Sequence, residues 1–284
     1  MDAIKSLPKR KKPIRISQIL IFLFCLVIGF IMVVPFVWML SASFKLNTEI
    51  FQPQTQWIPE VFRTLNYEKV WKDIAFPQYF LNTTKLAVCI TLLQLATCSL
   101  AAFSFTKMHY PGRDKLFVAY LATMMVPWHA IMIPQFIIVK SLGLFNTHLA
   151  LILLQAFSAF GVFILRQNML SIPDSLTEAA KIDGCGWFRT YATIIIPLTK
   201  TGLITLAVLT FNTVWNDYMG PMIYLDSDKL FTIQIGLASF RQQYSADYGA
   251  IMAGTVSSIL PVIVLYAVAQ KQIVEGVAFS GVKG

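Results

Sequence analysis

The chain has 284 residues, of which 56% are hydrophobic and only 13% charged, with a formal net charge of +9 and a mean hydropathy of +0.64. That balance lies outside soluble usage and excludes an ordinary water-soluble domain, while the length suits one bundle of about six membrane spans. A charge of +9 could also signal nucleic-acid binding, so where the charge falls decides its meaning.

Residues 1–16 form a basic arm. Six apolar segments follow at about 17–41, 80–106, 116–139, 149–165, 201–218 and 248–270, ahead of a tail at 271–284. Each segment is near the ~20 residues that a helix needs to cross hydrocarbon, and backbone groups in lipid must be bonded within the segment. The fold class expected is therefore all-α integral membrane with six transmembrane helices. The first segment has a basic flank, as a signal peptide does. Its apolar run over 19–40 exceeds the roughly 7–15 residues of a signal core, so it is expected to remain as the first span.

Six crossings place both termini on one side. Fifteen of the 23 lysines and arginines fall on that side, seven fall on the other, and Lys85 sits at the mouth of the second span. The positive-inside rule then puts both termini, and the loop between the fourth and fifth spans, in the cytoplasm. The excess charge sets topology at the lipid surface, and nucleic acid is not expected as a partner.

Between the first two spans, residues 44–79 carry Pro53, Pro59, Pro77, Trp57, Tyr67 and Trp71. This polar stretch is read as extracytoplasmic, with a short amphipathic helix over 65–73. The third span contains Pro127 and Pro134, which predicts a kink or local unwinding tolerated where other protein groups satisfy the freed backbone. Cys25, Cys89, Cys98 and Cys185 have no metal-ligand spacing and read as small packing residues.

The loop between the fourth and fifth spans holds the most specific pattern. Ser175-Leu176-Thr177-Glu178 behind Pro173 reads as a capping box, and Gly184 as a left-handed closing residue. The spacing predicts a polar helix of about nine residues, roughly 13 Å long. Glu178, Ala179, Ala180, Asp183 and Gly184 lead on to Ile194-Ile195-Ile196-Pro197.

This E-A-A-x-x-x-G-x9-I-x-x-P spacing resembles the cytoplasmic coupling loop of binding-protein-dependent ABC importer permeases, with Ile196 where the family usually has Leu. The tail, Gln270-Lys271-Gln272-Ile273-Val274-Glu275-Gly276 and Gly281-Val282-Lys283-Gly284, is similar to that of the maltose-type, carbohydrate-importing branch. The resemblance covers residue 82 to the end. It implies the type I importer permease fold in a bacterial cytoplasmic membrane. It also implies a second similar permease as partner, two ATPase subunits docked through Glu178, Ala179, Ala180, Asp183, Gly184 and Pro197, an extracytoplasmic solute-binding protein, and an oligosaccharide as solute. By the same resemblance, Gln242, Gln243, Tyr244 and Asp247 meet the binding protein.

The residues themselves agree on where energy enters. No glycine is followed by lysine, so the chain lacks a phosphate-binding P-loop, and ATP and Mg²⁺ are expected on the partner ATPase. The middles of the spans carry no acidic residue, which disfavours an ion-coupled carrier. No metalloprotease or nucleophile-elbow motif supports a membrane enzyme, and no metal site is expected.

Sugars are bound by amide and hydroxyl hydrogen bonds and by aromatic faces. Candidate pathway residues at helical spacing are Asn212, Trp215 and Asn216 in the fifth span, Trp128 and Gln135 in the third, and Gln155 in the fourth. Polar side chains of this kind also hold helices together.

Overall fold

The computed structural model describes residues 16–54, 56–73, 75–241 and 246–281, without side chains for Asp73 and 273–281. Among these residues there is one isolated β-bridge, Arg241 to Ala246, and otherwise helix. Helix α1 spans Ile16–Ala42, α2 Phe76–Lys107, α3 Arg113–Ala122, α4 Trp128–Ser141, α5 His148–Leu154, α6 Ala159–Leu170, α7 Asp174–Ile182, α8 Lys200–Trp215 and α9 Tyr248–Gly281. Three helices are long and apolar enough to cross a membrane unbroken: α1, α2 and α9 over Tyr248–Gln272. Counting each bent pair as one span brings the number to six.

Those bends are larger than the prolines alone predicted. Arg113–Met125 and Trp128–Ser141 meet at 95°, with Pro127 in extended geometry between them. Trp187–Leu198 meets Lys200–Trp215 at 78°. There Pro197 offers no N–H to the carbonyl one turn back, and a π-helical turn at Tyr191–Ile195 precedes it. The 46° break between α5 and α6 has no proline at all.

Helix α2 explains that third break. The carbonyls released at the α5–α6 junction are met by α2 side chains: Gln94 Nε2 donates to Gln155 O and Thr97 Oγ1 to Ala156 O, each at 2.7 Å, while Cys98 Sγ adds a 3.5 Å bond to Ser158 O, which also accepts the Val162 amide. Ser158 Oγ in turn accepts the Gly161 amide and restarts the helix. A Cβ on Gly161 would lie 2.9 Å from Cys98 Sγ, so α6 approaches α2 as closely as it does only because of the glycine.

Helices α6 and α8 pack along α2, and α8 also packs on α9. Two apolar clusters result. One gathers Cys98, Phe103, Leu165, Met169, Ile195 and Leu206 near the α7 end. The other gathers Phe76, Leu86, Ile90, Trp215, Tyr224 and Ile233 at the opposite end. The most apolar stretch of α1 is entirely unburied, as suits a helix facing lipid or a partner.

The stretch after α1 does form the expected short helix, as Leu65–Glu68 continued by a π turn over Lys69–Asp73. Asn66 anchors it by donating to Ser43 O and Lys45 O. The N-terminal arm and residues 282–284 lie outside the described residues.

Candidate functional site

The nine-residue helix α7 forms as expected, but it starts at Asp174, directly after Pro173, and no side chain caps it. The capping box is absent because the helix begins one residue early, which puts Ser175 inside the first turn; Thr177 Oγ1 donates to Asp174 O, and the Asp174 carboxylate faces Lys107. Lys107 Nζ donates to Asp174 Oδ1 at 2.7 Å and to Ile172 O at 2.5 Å. That hydrogen bond and the lysine charge hold the Asp174 carboxyl below its usual range. The C-terminus closes as predicted. Gly184 takes φ +76°, its amide bonds Lys181 O at 3.0 Å, and the Cys185 amide bonds Ala180 O at 2.8 Å, a Schellman motif.

Glu178, Ala179, Asp183 and Gly184 lie exposed on this knob. Ala180 does not: it is 3% exposed and packs inward, which corrects its assignment as an outward contact. The apolar residues that do face outward are Leu176, Ile182, at 86% exposure, and Phe188. The sequence reading missed Ile182, one turn beyond Glu178, and Phe188, on the short helix that follows, because it stopped at the Glu-Ala-Ala pattern itself. Pro197 sits exposed in the bend after the loop.

The second place is a cavity of about 260 Å³ among α4, α5 and the end of α8, lined by Trp128, Gln135, Gln155, Thr213, Asp217 and Tyr224 among others. Trp128 Nε1 and the Tyr224 hydroxyl both donate to Gln135 Oε1, at 3.0 and 3.3 Å. Gln155 Nε2 donates to Asp217 Oδ2, and the Gly220 amide to Asp217 Oδ1, each at 3.0 Å. The structure therefore brings Trp128 and Gln135 of α4 together with Gln155 at the end of α5.

It does not bring the fifth-span trio with them. Trp215 is 2% exposed, its indole N–H donates to Ser258 O, and its ring stacks on Phe211. It is a core residue, which corrects its place in the pathway set. Asn216 bonds Asn212 one turn back, and neither lines the cavity. The helical spacing was right, but Trp215 turns toward α9 and Asn216 lies exposed away from the cavity. Asp217 and Tyr224, beyond the end of the span, are the residues this side contributes.

Gln242, Gln243 and Tyr244 lie outside the described residues. Asp247 is half-buried rather than exposed: Oδ2 accepts Lys69 Nζ at 2.7 Å and Oδ1 accepts the Ala250 amide at 3.1 Å. Its carboxylate is committed to an ion pair and to the start of α9. Among the described residues no group of acids, histidines or cysteines could hold a metal ion.

Residues 98–277, from the middle of α2 to the end of α9, match the family of binding-protein-dependent transport system inner membrane components. The chain belongs to this family. As a permease of that family it is 32% identical to the lactose transport system permease protein LacG of Rhizobium radiobacter, over 87% of this chain and 90% of that protein. It is 30% identical to the arabinooligosaccharides transport system permease protein AraQ of Halalkalibacterium halodurans, over 90% of this chain and 93% of the relative. The permease fold also matches a chain in the crystal structure of a bacterial ABC transporter that imports the acidic polysaccharide alginate. The TM-score there is 0.80 at 24% identity, over 93% of this chain and 99% of that one.

Proposed function

We propose that this permease forms half of the membrane pathway of an ATP-driven importer for a neutral oligosaccharide, working beside a second, similar permease. Two ATPase subunits, which bind the ATP and Mg²⁺, dock on the exposed side of α7. A solute-binding protein delivers the sugar to the opposite face. Both termini and α7 are assigned to the cytoplasm from the distribution of Lys and Arg.

The observation that carries the docking reading is the knob itself: a nine-residue helix closed by the Gly184 turn, whose exposed Leu176 and Ile182, with Phe188 of the following short helix, have no covering element of this chain among the described residues. Apolar side chains held out on a closed turn suit a protein cleft better than water. Cavity chemistry supports the solute class. Trp128 and Tyr224 offer ring faces, Gln135 and Gln155 offer amides, and Asp217 is the single charged residue of the lining. A carboxylate without a neighbouring cation accepts sugar hydroxyls and repels an acidic sugar. The relatives named for lactose and arabino-oligosaccharides agree with that reading.

The test is reconstitution of the permease pair with its ATPase and binding protein in vesicles, offered labelled lactose, arabino-oligosaccharides and oligogalacturonate. Uptake of a neutral sugar that requires ATP is the expected result. Uptake without ATP, or uptake of oligogalacturonate alone, would overturn the reading.

A further inference from the structure

Ser99, Phe103 and Lys107 recur every four residues along α2, so they share one face at the end nearest α7. All three reach the loop that carries α7. The Lys107 side chain is only 2% exposed, and its ammonium holds both Ile172 O and the Asp174 carboxylate at the start of α7. The Phe103 ring meets Trp187 edge-on at 6.2 Å and Tyr191 at 5.4 Å. Ser99 Oγ shares a 2.7 Å hydrogen bond with the Tyr191 hydroxyl. Trp187 in turn stacks under the Lys181 ammonium, 4.2 Å away in the last turn of α7. A nine-residue helix is thus tied at both ends to one face of one long helix.

The chain neighbours of α7 are poor levers by comparison. On one side α6 reaches it through the turn at Ser171–Pro173, and on the other the path to α8 passes a π turn and a 78° bend. Helix α2 runs unbroken for 32 residues. More than three turns from Lys107 along the same helix it carries Gln94, which holds the Gln155 carbonyl, and the Gln155 amide holds Asp217 in the cavity wall.

We propose that Lys107 is a positioning residue that locks α7 to α2, so that displacement of α7 by its partner moves α2 as a rigid strut and reaches the cavity through Gln94 and Gln155. A buried ammonium suits this role, because unpairing it is costly and the lock therefore resists slipping. The inference rests on the reading that α7 meets the ATPase. That reading fails separately if the ATPase does not co-purify with the unmodified permease, or if Glu178→Lys leaves co-purification intact.

The experiment needs no sugar. Spin labels are placed at Leu81→Cys, exposed on the far half of α2, and at Val37→Cys, exposed on α1, after the four native cysteines are replaced by alanine. Their separation is measured in the assembled complex without nucleotide and after trapping with ATP and vanadate. The parent is expected to show a nucleotide-dependent shift. Lys107→Met is expected to lose it while still retaining the ATPase and hydrolysing ATP, and Lys107→Arg to keep it. A full shift in Lys107→Met, no shift in the parent, or equal loss in Lys107→Arg overturns the proposal, as does a Lys107→Met complex that sheds its ATPase. Should Lys107→Met fail to accumulate, Asp174→Asn, altered at an exposed side chain, is expected to reduce the shift, and an unchanged shift there overturns it equally.

Discussion

Replacing Gly184 by valine isolates what the turn after α7 contributes. Gly184 has φ +76°, and no atom lies within 4 Å of where a Cβ would sit. A side chain there meets no neighbour, so the penalty is purely that of the backbone. Holding an L-residue in the left-handed region costs about 1–2 kcal/mol, and a β-branched residue sits at the upper end. Relaxing the strain instead releases the Gly184–Lys181 and Cys185–Ala180 bonds, and a helix this short does not persist without its ends fixed. An energy of about 1–2 kcal/mol corresponds to a roughly 5–30-fold loss of the closed turn, and affinity for a partner that needs the closed form falls by the same factor. The assay is retention of the ATPase on tagged permease, with ATP-driven uptake and the thermal midpoint of the bundle measured in parallel. Gly184→Val should lose retention and uptake with the midpoint unchanged, whereas Gly184→Asn, whose side chain tolerates left-handed geometry, should stay near the parent. Equal behaviour of the two variants would refute the backbone argument.

Three further outcomes are expected. Asp247→Ala removes the bond to the Ala250 amide and the Lys69 pair, for a cost of about 1 kcal/mol from the cap. Burial pushes the Asp247 carboxyl up, but Lys69 and the Ala250 amide outweigh it and hold it below the ordinary carboxylate value. A depressed carboxyl stabilises above its unfolded value and loses that contribution as pH falls through the folded one. The difference in unfolding midpoint between parent and variant should therefore be full at neutral pH and shrink only in strong acid; a difference that vanishes already at mild acidity is the contrary result. Gln94→Leu leaves the Gln155 carbonyl and the Thr210 hydroxyl, which donates to Gln94 Oε1 at 2.9 Å, without partners, and denaturant unfolding should show a loss of about 1–3 kcal/mol. Asp217→Asn removes the one charge of the cavity lining at constant shape, so oligogalacturonate uptake should rise relative to lactose; an unchanged ratio would show that the carboxylate does not select.

Much of this was legible in advance where a signal is local. Apolar length marked the spans, and the glycine after a nine-residue polar stretch marked the close of α7, because only a few residue types accept φ near +76°. The short amphipathic helix expected over 65–73 also formed. What failed depended on which way a face turns. Asn212, Trp215 and Asn216 share a helical stripe, yet nothing in the spacing says that α9 buries Trp215 alone and draws its indole to Ser258 O, leaving Asn216 exposed and bonded to Asn212. Ala180 looked like an outward contact for the same reason. The capping box failed because the helix begins one residue early, at Asp174, whose partner Lys107 lies 67 residues away in sequence, and no local pattern records a partner that far away.

The break between α5 and α6 shows the same dependence in its sharpest form. Backbone interruptions inside a membrane protein survive only where something else bonds the released carbonyls. At the α5–α6 junction the neighbours are Gln94, Thr97 and Cys98, on adjacent turns of an unbroken helix. The polar residues of α2 are thus the cause of a bend in another helix, and the bend is what swings Gln155 toward Asp217. A sequence reading assigns polar residues in a span to solute or to helix pairing; here they fix a bend elsewhere, and the residue so displaced lines the cavity. The chemistry at the cavity and the polar residues of the unbroken α2 are therefore one structural fact. A substitution on α2 that spares its helicity but strips Gln94 and Thr97 should disturb the cavity before it disturbs the bundle.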